Sequence, residues 1–185
     1  MKTTIQIIIL ALLAQVTIAQ KKSIKAEQLF VTNKVTGKSF KIGSSVNTLK
    51  NFGTLIKVDT LDLTVESDDY YIKHTFNNII IFESVQGKIS SFETQSSEIA
   101  IERKGMFSFS PGTHMDNIAN TFPYEVENNY IRYKGINNVK YLGVKIQLSG
   151  FNKYYDKYID IDEALVFLFN PETKILEEVF YWIRP

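Results

Sequence analysis

Phe40-Lys41-Ile42-Gly43-Ser44-Ser45-Val46-Asn47-Thr48-Leu49-Lys50-Asn51-Phe52 decides how this chain reads, because a second stretch answers it: Phe109-Ser110-Pro111-Gly112-Thr113-His114-Met115-Asp116-Asn117-Ile118-Ala119-Asn120-Thr121-Phe122. Each places an aromatic residue, then a Gly three positions on, then a Ser or Thr suited to capping a helix, then apolar residues at helical spacing. In the first stretch Ser44 or Ser45 is the expected cap, Val46, Leu49 and Phe52 share a face, and Gly53 is the stop. In the second, Thr113 is the cap, Met115, Ile118, Ala119 and Phe122 form the stripe, and Pro123 ends it.

Outward from the first stretch, residues 29–32 and 40–42 around Thr36-Gly37 read as a hairpin leading into the helix. Beyond it, Leu61, Leu63 and Val65 alternate with polar residues, and Ser67-Asp68-Asp69 turns the chain into a strand with Tyr70, Ile72, His74 and Phe76 on one face. A turn at Asn77-Asn78 and the runs 79–82 and 88–92 around Gly87 complete an antiparallel meander. Residues 93–104 link the stretches, with Ile99-Ala100-Ile101 a candidate strand. After the second helix come strand patterns over 130–134, 139–148, 159–169 and 175–183. The turn at Asn170-Pro171-Glu172-Thr173 precedes Lys174-Ile175 as Gly87 precedes Lys88-Ile89.

Gly43 and Gly112 lie 69 residues apart and the two Lys-Ile pairs 86 apart, so the second copy has gained residues, mainly over 135–162. That spacing exceeds the periods of solenoids and suits a doubled half-domain. The expected fold is therefore α+β, in two related halves at 20–104 and 105–185, each a short helix packed on an antiparallel β-meander.

The N-terminus carries an export pattern: Lys2, an apolar run over 7–13, then Thr17-Ile18-Ala19 with small residues three and one before a cut. The run falls short of the roughly 20 residues a membrane span needs, so residues 1–19 read as a signal peptide cleaved after Ala19, and 20–25 as a frayed start to the fold. The expected destination is the periplasm or the extracellular medium, with no membrane span after cleavage. The chain has no cysteine. Lipid anchoring through a thiol and disulfide stapling are therefore both excluded, and stability must come from a packed core. Its 21 Lys+Arg against 20 Asp+Glu become even once Lys2 leaves with the signal, which is not the balance of a nucleic-acid binder.

The order Gly, capped short helix, antiparallel meander resembles the SmpA/OmlA outer-membrane assembly lipoproteins and, doubled, the β-lactamase-inhibitor proteins. The matching positions are Ile42, Gly43, Ser44, Leu49 and Gly53, and less closely Gly112, Thr113, Ile118 and Pro123. The chain lacks the lipidated Cys of the first group and the stabilising cysteines of the second. The resemblance implies protein binding through an exposed sheet face or loops, without catalysis.

Chemistry in the sequence is sparse. The two histidines are His74, mid-strand between Ile72 and Phe76, and His114, in the first helical turn. Neither lies in a nucleophile-elbow context, and two distant histidines without thiols do not make a zinc site. Asp156, Asp160, Asp162 and Glu163 are the densest acidic group, but they lack the glycine-turned loop of a calcium hand, and alternation places Asp160 and Asp162 on one solvent face. No catalytic residue, metal or cofactor is assigned. The most suggestive surface feature is Gly150-Phe151-Asn152-Lys153-Tyr154-Tyr155-Asp156-Lys157-Tyr158, inside the gained segment. Tyrosines mixed with charges suit the centre of an interface, whereas a regular strand would bury every second one; Lys153, Asp156 and Lys157 interrupt that alternation. Phe151, Tyr154, Tyr155 and Tyr158 are the candidate partner-binding residues. The apolar end, Val179-Phe180-Tyr181-Trp182-Ile183, reads as a core or central strand. The expected function is non-enzymatic binding of another protein, as an inhibitor or immunity-type protein that blocks an enzyme or toxin. A cell-envelope assembly factor and a carboxylate-dependent hydrolase are the alternatives.

Overall fold

The computed structural model describes residues 24–62 and 70–183. The signal segment, Leu63, Val65 and the turn at Ser67-Asp68-Asp69 lie outside the described residues. In chain order the strands are β1 (Ile24–Lys25), β2 (Phe30–Asn33), β3 (Lys38–Phe40), β4 (Leu55–Asp62), β5 (Tyr70–Phe76), β6 (Ile80–Ser84), β7 (Ile89–Thr94), β8 (Ile99–Arg103) and β9 (Phe107–Phe109). Helices α1 (Met115–Ala119) and α2 (Pro123–Glu127) follow, then β10 (Tyr130–Lys134), β11 (Val139–Asn152), β12 (Lys157–Phe169) and β13 (Leu176–Ile183).

The expected α+β class is corrected. The protein is mostly β, with thirteen strands in two sheets and only two short α-helices among the described residues, so neither half is a helix on a meander. Residues Val46–Leu49 form a single 3-10 turn, capped by Ser45, whose Oγ accepts the Asn47 N–H at 3.3 Å. The residues explain it: Val46, Asn47 and Thr48 are weak helix formers, and Thr48 Oγ1 donates back to the Ser45 carbonyl at 2.7 Å. A stripe at Val46, Leu49 and Phe52 repeats every three residues, which is the 3-10 period. In the second stretch the stripe steps by three, four and seven, and a true α-turn forms. Its cap is His114 rather than Thr113: the imidazole Nδ1 accepts the Asp116 N–H at 3.3 Å. Pro123 does not end the helical segment but opens α2, where its missing N–H and fixed φ suit a first helical position.

Nine strands form one sheet in the order β1-β11-β12-β13-β7-β6-β5-β4, with β10 also on β11; the other four form a second sheet, β3-β2-β8-β9. Both sheets draw strands from both halves of the sequence. The division at 104/105 falls in the turn between β8 and β9, where the Met106 N–H donates to the Arg103 carbonyl at 3.0 Å. The small sheet packs on one face of the large one, and aromatic rings cross the gap: Phe40 to Phe92 and Phe109 to Phe167, each with centroids 6.2 Å apart. Val144, Ile146, Leu165, Phe167, Phe169 and Val179 are fully buried on that face. As read from the sequence, β13 is central, hydrogen-bonded to β12 on one side and β7 on the other. The Trp182 side chain lies outside what is described.

The two matching stretches clip the loops to the large sheet in the same way. The Gly43 N–H donates to the Ile89 carbonyl and the Gly112 N–H to the Leu176 carbonyl, both at 2.7 Å. Val46 N–H reaches Gly87 O at 3.1 Å and Met115 N–H reaches Lys174 O at 2.9 Å. Ile89 N–H returns to Ser44 O at 2.9 Å, and Leu176 N–H to Thr113 O at 2.8 Å. Gly43 and Gly112 hold φ of 79° and 97°, a left-handed turn that explains why glycine stands at both. The halves meet in both sheets: Glu102 pairs with Ser108 through β8 and β9 in the small sheet, and Glu93 with Phe180 through β7 and β13 in the large one.

Candidate binding surface

Strands β11 and β12 pair antiparallel from Leu142–Phe169 to Asn152–Lys157, and their tip carries the aromatic residues singled out by the sequence. There the candidate residues stand in solvent: Phe151 is 47% exposed, Tyr154 88%, Tyr155 61% and Tyr158 37%. The strand reading, in which they would cover the core, does not hold.

The turn has a defined cause. Asn152 Oδ1 accepts the N–H groups of Tyr154 and Tyr155 at 2.9 and 3.2 Å, an Asx turn, and Asp156 takes the left-handed conformation at φ 47°. Phe151 and Tyr158 face one another across the ladder with rings edge-on at 5.4 Å, and Tyr154 meets Tyr155 edge-on at 5.0 Å.

The frayed start expected at 20–25 is corrected for Ile24 and Lys25. Ile24 is fully buried, and β1 pairs in parallel with β11 through Ile24–Leu148 and Lys25–Ser149. This short strand braces the aromatic tip. Lys25 Nζ sits 3.6 Å from the Tyr158 ring centroid, a cation–π contact, and the Tyr158 hydroxyl donates to the Glu27 carboxylate. The hydrogen bond to Glu27 holds the Tyr158 phenol above its ordinary pKa, with lost hydration and the Glu27 charge adding to it. Lys25 and Glu27 were missed in the sequence because β1 has only two residues and shows no period.

The histidines have structural surroundings. His74 Nε2 and Glu83 Oε2 are 2.7 Å apart with both side chains largely buried, so His74 packs beside an acid at the margin of the core. His114 serves as the helix cap. Asp160 and Asp162 are exposed, and among the described residues no group of three or more His, Cys, Asp or Glu could hold a metal ion.

A groove of about 420 Å³ lies on the outer face where β7 meets β13, and it was not legible in the sequence. It is lined by Asn78, Glu93, Gln95, Lys134 and Glu178 among others. Glu178 is 1% exposed, and its carboxylate accepts from Lys134 and, at 3.1 Å, from Gln95. Glu93 and Glu178 come to one wall only because β7 and β13, far apart in sequence, are neighbours.

No known protein family, characterised protein or solved structure matches this chain. Among the described residues, no helix is long and apolar enough to cross a membrane.

Proposed function

We propose that this chain is an exported, non-enzymatic module that binds another protein through Phe151, Tyr154, Tyr155 and Tyr158, as an inhibitor or immunity-type protein does when it blocks an enzyme or toxin. The observation that carries this reading is the concentration of solvent-exposed aromatic area at a hairpin tip that is itself held in place. Water is excluded from such rings only when a partner covers them, and tyrosine gives a large contact area for few rotatable bonds. The Asx turn and the Lys25–Tyr158–Glu27 brace set the shape beforehand, which lowers the entropy lost on binding. Export rests on the N-terminal pattern; sequencing the N-terminus of the secreted protein, expected to begin at Gln20, tests it.

The binding test uses the tagged protein on the secreted and envelope fractions of its own cells. The variant Tyr154→Ala with Tyr155→Ala is expected to lose the partner that the wild type retains while its circular dichroism is unchanged. A recovered toxin or enzyme favours the inhibitor reading, and an outer-membrane component favours the assembly factor.

The hydrolase reading has one foothold, the groove that places Glu93 and Glu178 on one wall. Its test is hydrolysis of a panel of glycosides by wild type and Glu93→Gln. Activity lost in the variant would favour it over binding.

A further inference from the structure

The large sheet ends at β4, which among the described residues pairs with β5 alone. Leu55, Ile56 and Val58 are 49%, 65% and 50% exposed. Val58 nevertheless points to the core side: it stands across from His74, which stands across from the fully buried Ile81. The apolar side of the sheet therefore runs past the place where the core stops, and it does so on a strand whose outer edge offers N–H and C=O groups for pairing.

We infer that β4 is the surface through which two copies of this chain pair, edge to edge and antiparallel, about a two-fold axis at Val58. Charge selects a second copy as the occupant. Lys57 and Asp59 flank Val58, project to the face opposite it and lie 2.7 Å apart within one strand. With the axis at Val58, Lys57 of each copy stands opposite Asp59 of the other, so four charges alternate in sign. Val58 then covers Val58. Moving the axis to Lys57 or Asp59 would place like charges directly across from each other, which destabilises a strand pair. The opposite edge lacks this property, since β10 centred on Arg132 would face arginine with arginine. A two-fold contact also closes on itself instead of propagating into a fibre. The fold already contains a join of this kind, because β7 and β13 meet edge to edge through Glu93–Phe180 and Thr94–Val179. The bulge between Leu55 and Lys57 shortens the regular ladder, so the dimer is a weak, concentration-dependent one. It is independent of the aromatic tip.

The test is sedimentation equilibrium of the signal-free chain over a dilution series, with circular dichroism as the folding control. Lys57 and Asp59 side chains are 66% and 31% exposed, so reversing either leaves the core untouched. Wild type is expected to pass from monomer to dimer with concentration, whereas Lys57→Asp alone and Asp59→Lys alone remain monomeric where wild type is mostly dimer. Mixing the two variants restores opposite charges at every position and is expected to restore the dimer. A wild type that stays monomeric at its highest soluble concentration overturns the inference. So does a dimer that both reversals leave unchanged, or a mixture that fails to associate.

Discussion

Glu178 is a carboxylate buried in a mostly β protein, tolerated because Lys134 and Gln95 both donate to it. Lys134→Met strands that charge and is expected to lower unfolding free energy by about 3 kcal/mol in urea denaturation, most of it recovered by adding Glu178→Leu. Tyr181 presents the complementary case of a neutral group kept neutral. It is 4% exposed, and burial, then the hydrogen bond its hydroxyl donates to Glu163, push its pKa far above the ordinary tyrosine value. The unfolded chain loses that proton near pH 10 while the folded chain keeps it, so above that pH the unfolded state binds fewer protons and stability falls as pH rises. This contribution is fully present below about pH 10. Tyr181→Phe is expected to cost about 1 kcal/mol at neutral pH and to flatten the loss of stability on the alkaline side, followed by thermal melts across pH 8 to 11, roughly the range that spans a tyrosine titration. Neither residue could be assigned this role from sequence, because Lys134, Gln95 and Glu163 all come from other elements of the fold.

At the scale of elements, the clips explain why glycine recurs at Gly43 and Gly112. With φ at 97° and open space around it, Gly112→Ala meets no clash and pays only backbone strain, about 1 to 2 kcal/mol in a chemical melt. Strands with steady alternation were legible: β10 has the expected bounds, and β11, β12 and β13 fall within a few residues of theirs. The first helix was not, since three-residue spacing fits a 3-10 turn as well as it fits the start of an α-helix, and the weak helix formers at Val46, Asn47 and Thr48 decide between them. The start of β4 at Leu55 was missed, because the bulge between Leu55 and Lys57 breaks the alternation where the strand begins. The aromatic tip was legible as composition but not as exposure, which depends on how far β11 and β12 run beyond the rest of the sheet.

For the whole molecule, the sequence carried the repetition of the clips and missed that the halves share both sheets. The β7–β13 pairing joins the halves, and β2–β8 joins the two ends of the first one, between strands far apart in the chain, and nothing local marks which edges will meet. A consequence follows for truncation. Ending the chain before Leu176 removes the strand between β12 and β7 and opens the core on both sides, so it is expected to abolish cooperative unfolding rather than weaken binding selectively, as calorimetry would show. The aromatic tip lies beyond this shared core, so its substitution should change stability by less than about 0.5 kcal/mol. The most direct measurement is the retention of a native partner by wild type and by Tyr154→Ala with Tyr155→Ala, compared at equal amounts of folded protein. Loss of the partner from the double variant alone is the predicted result; equal retention by both would contradict a binding role for the tip.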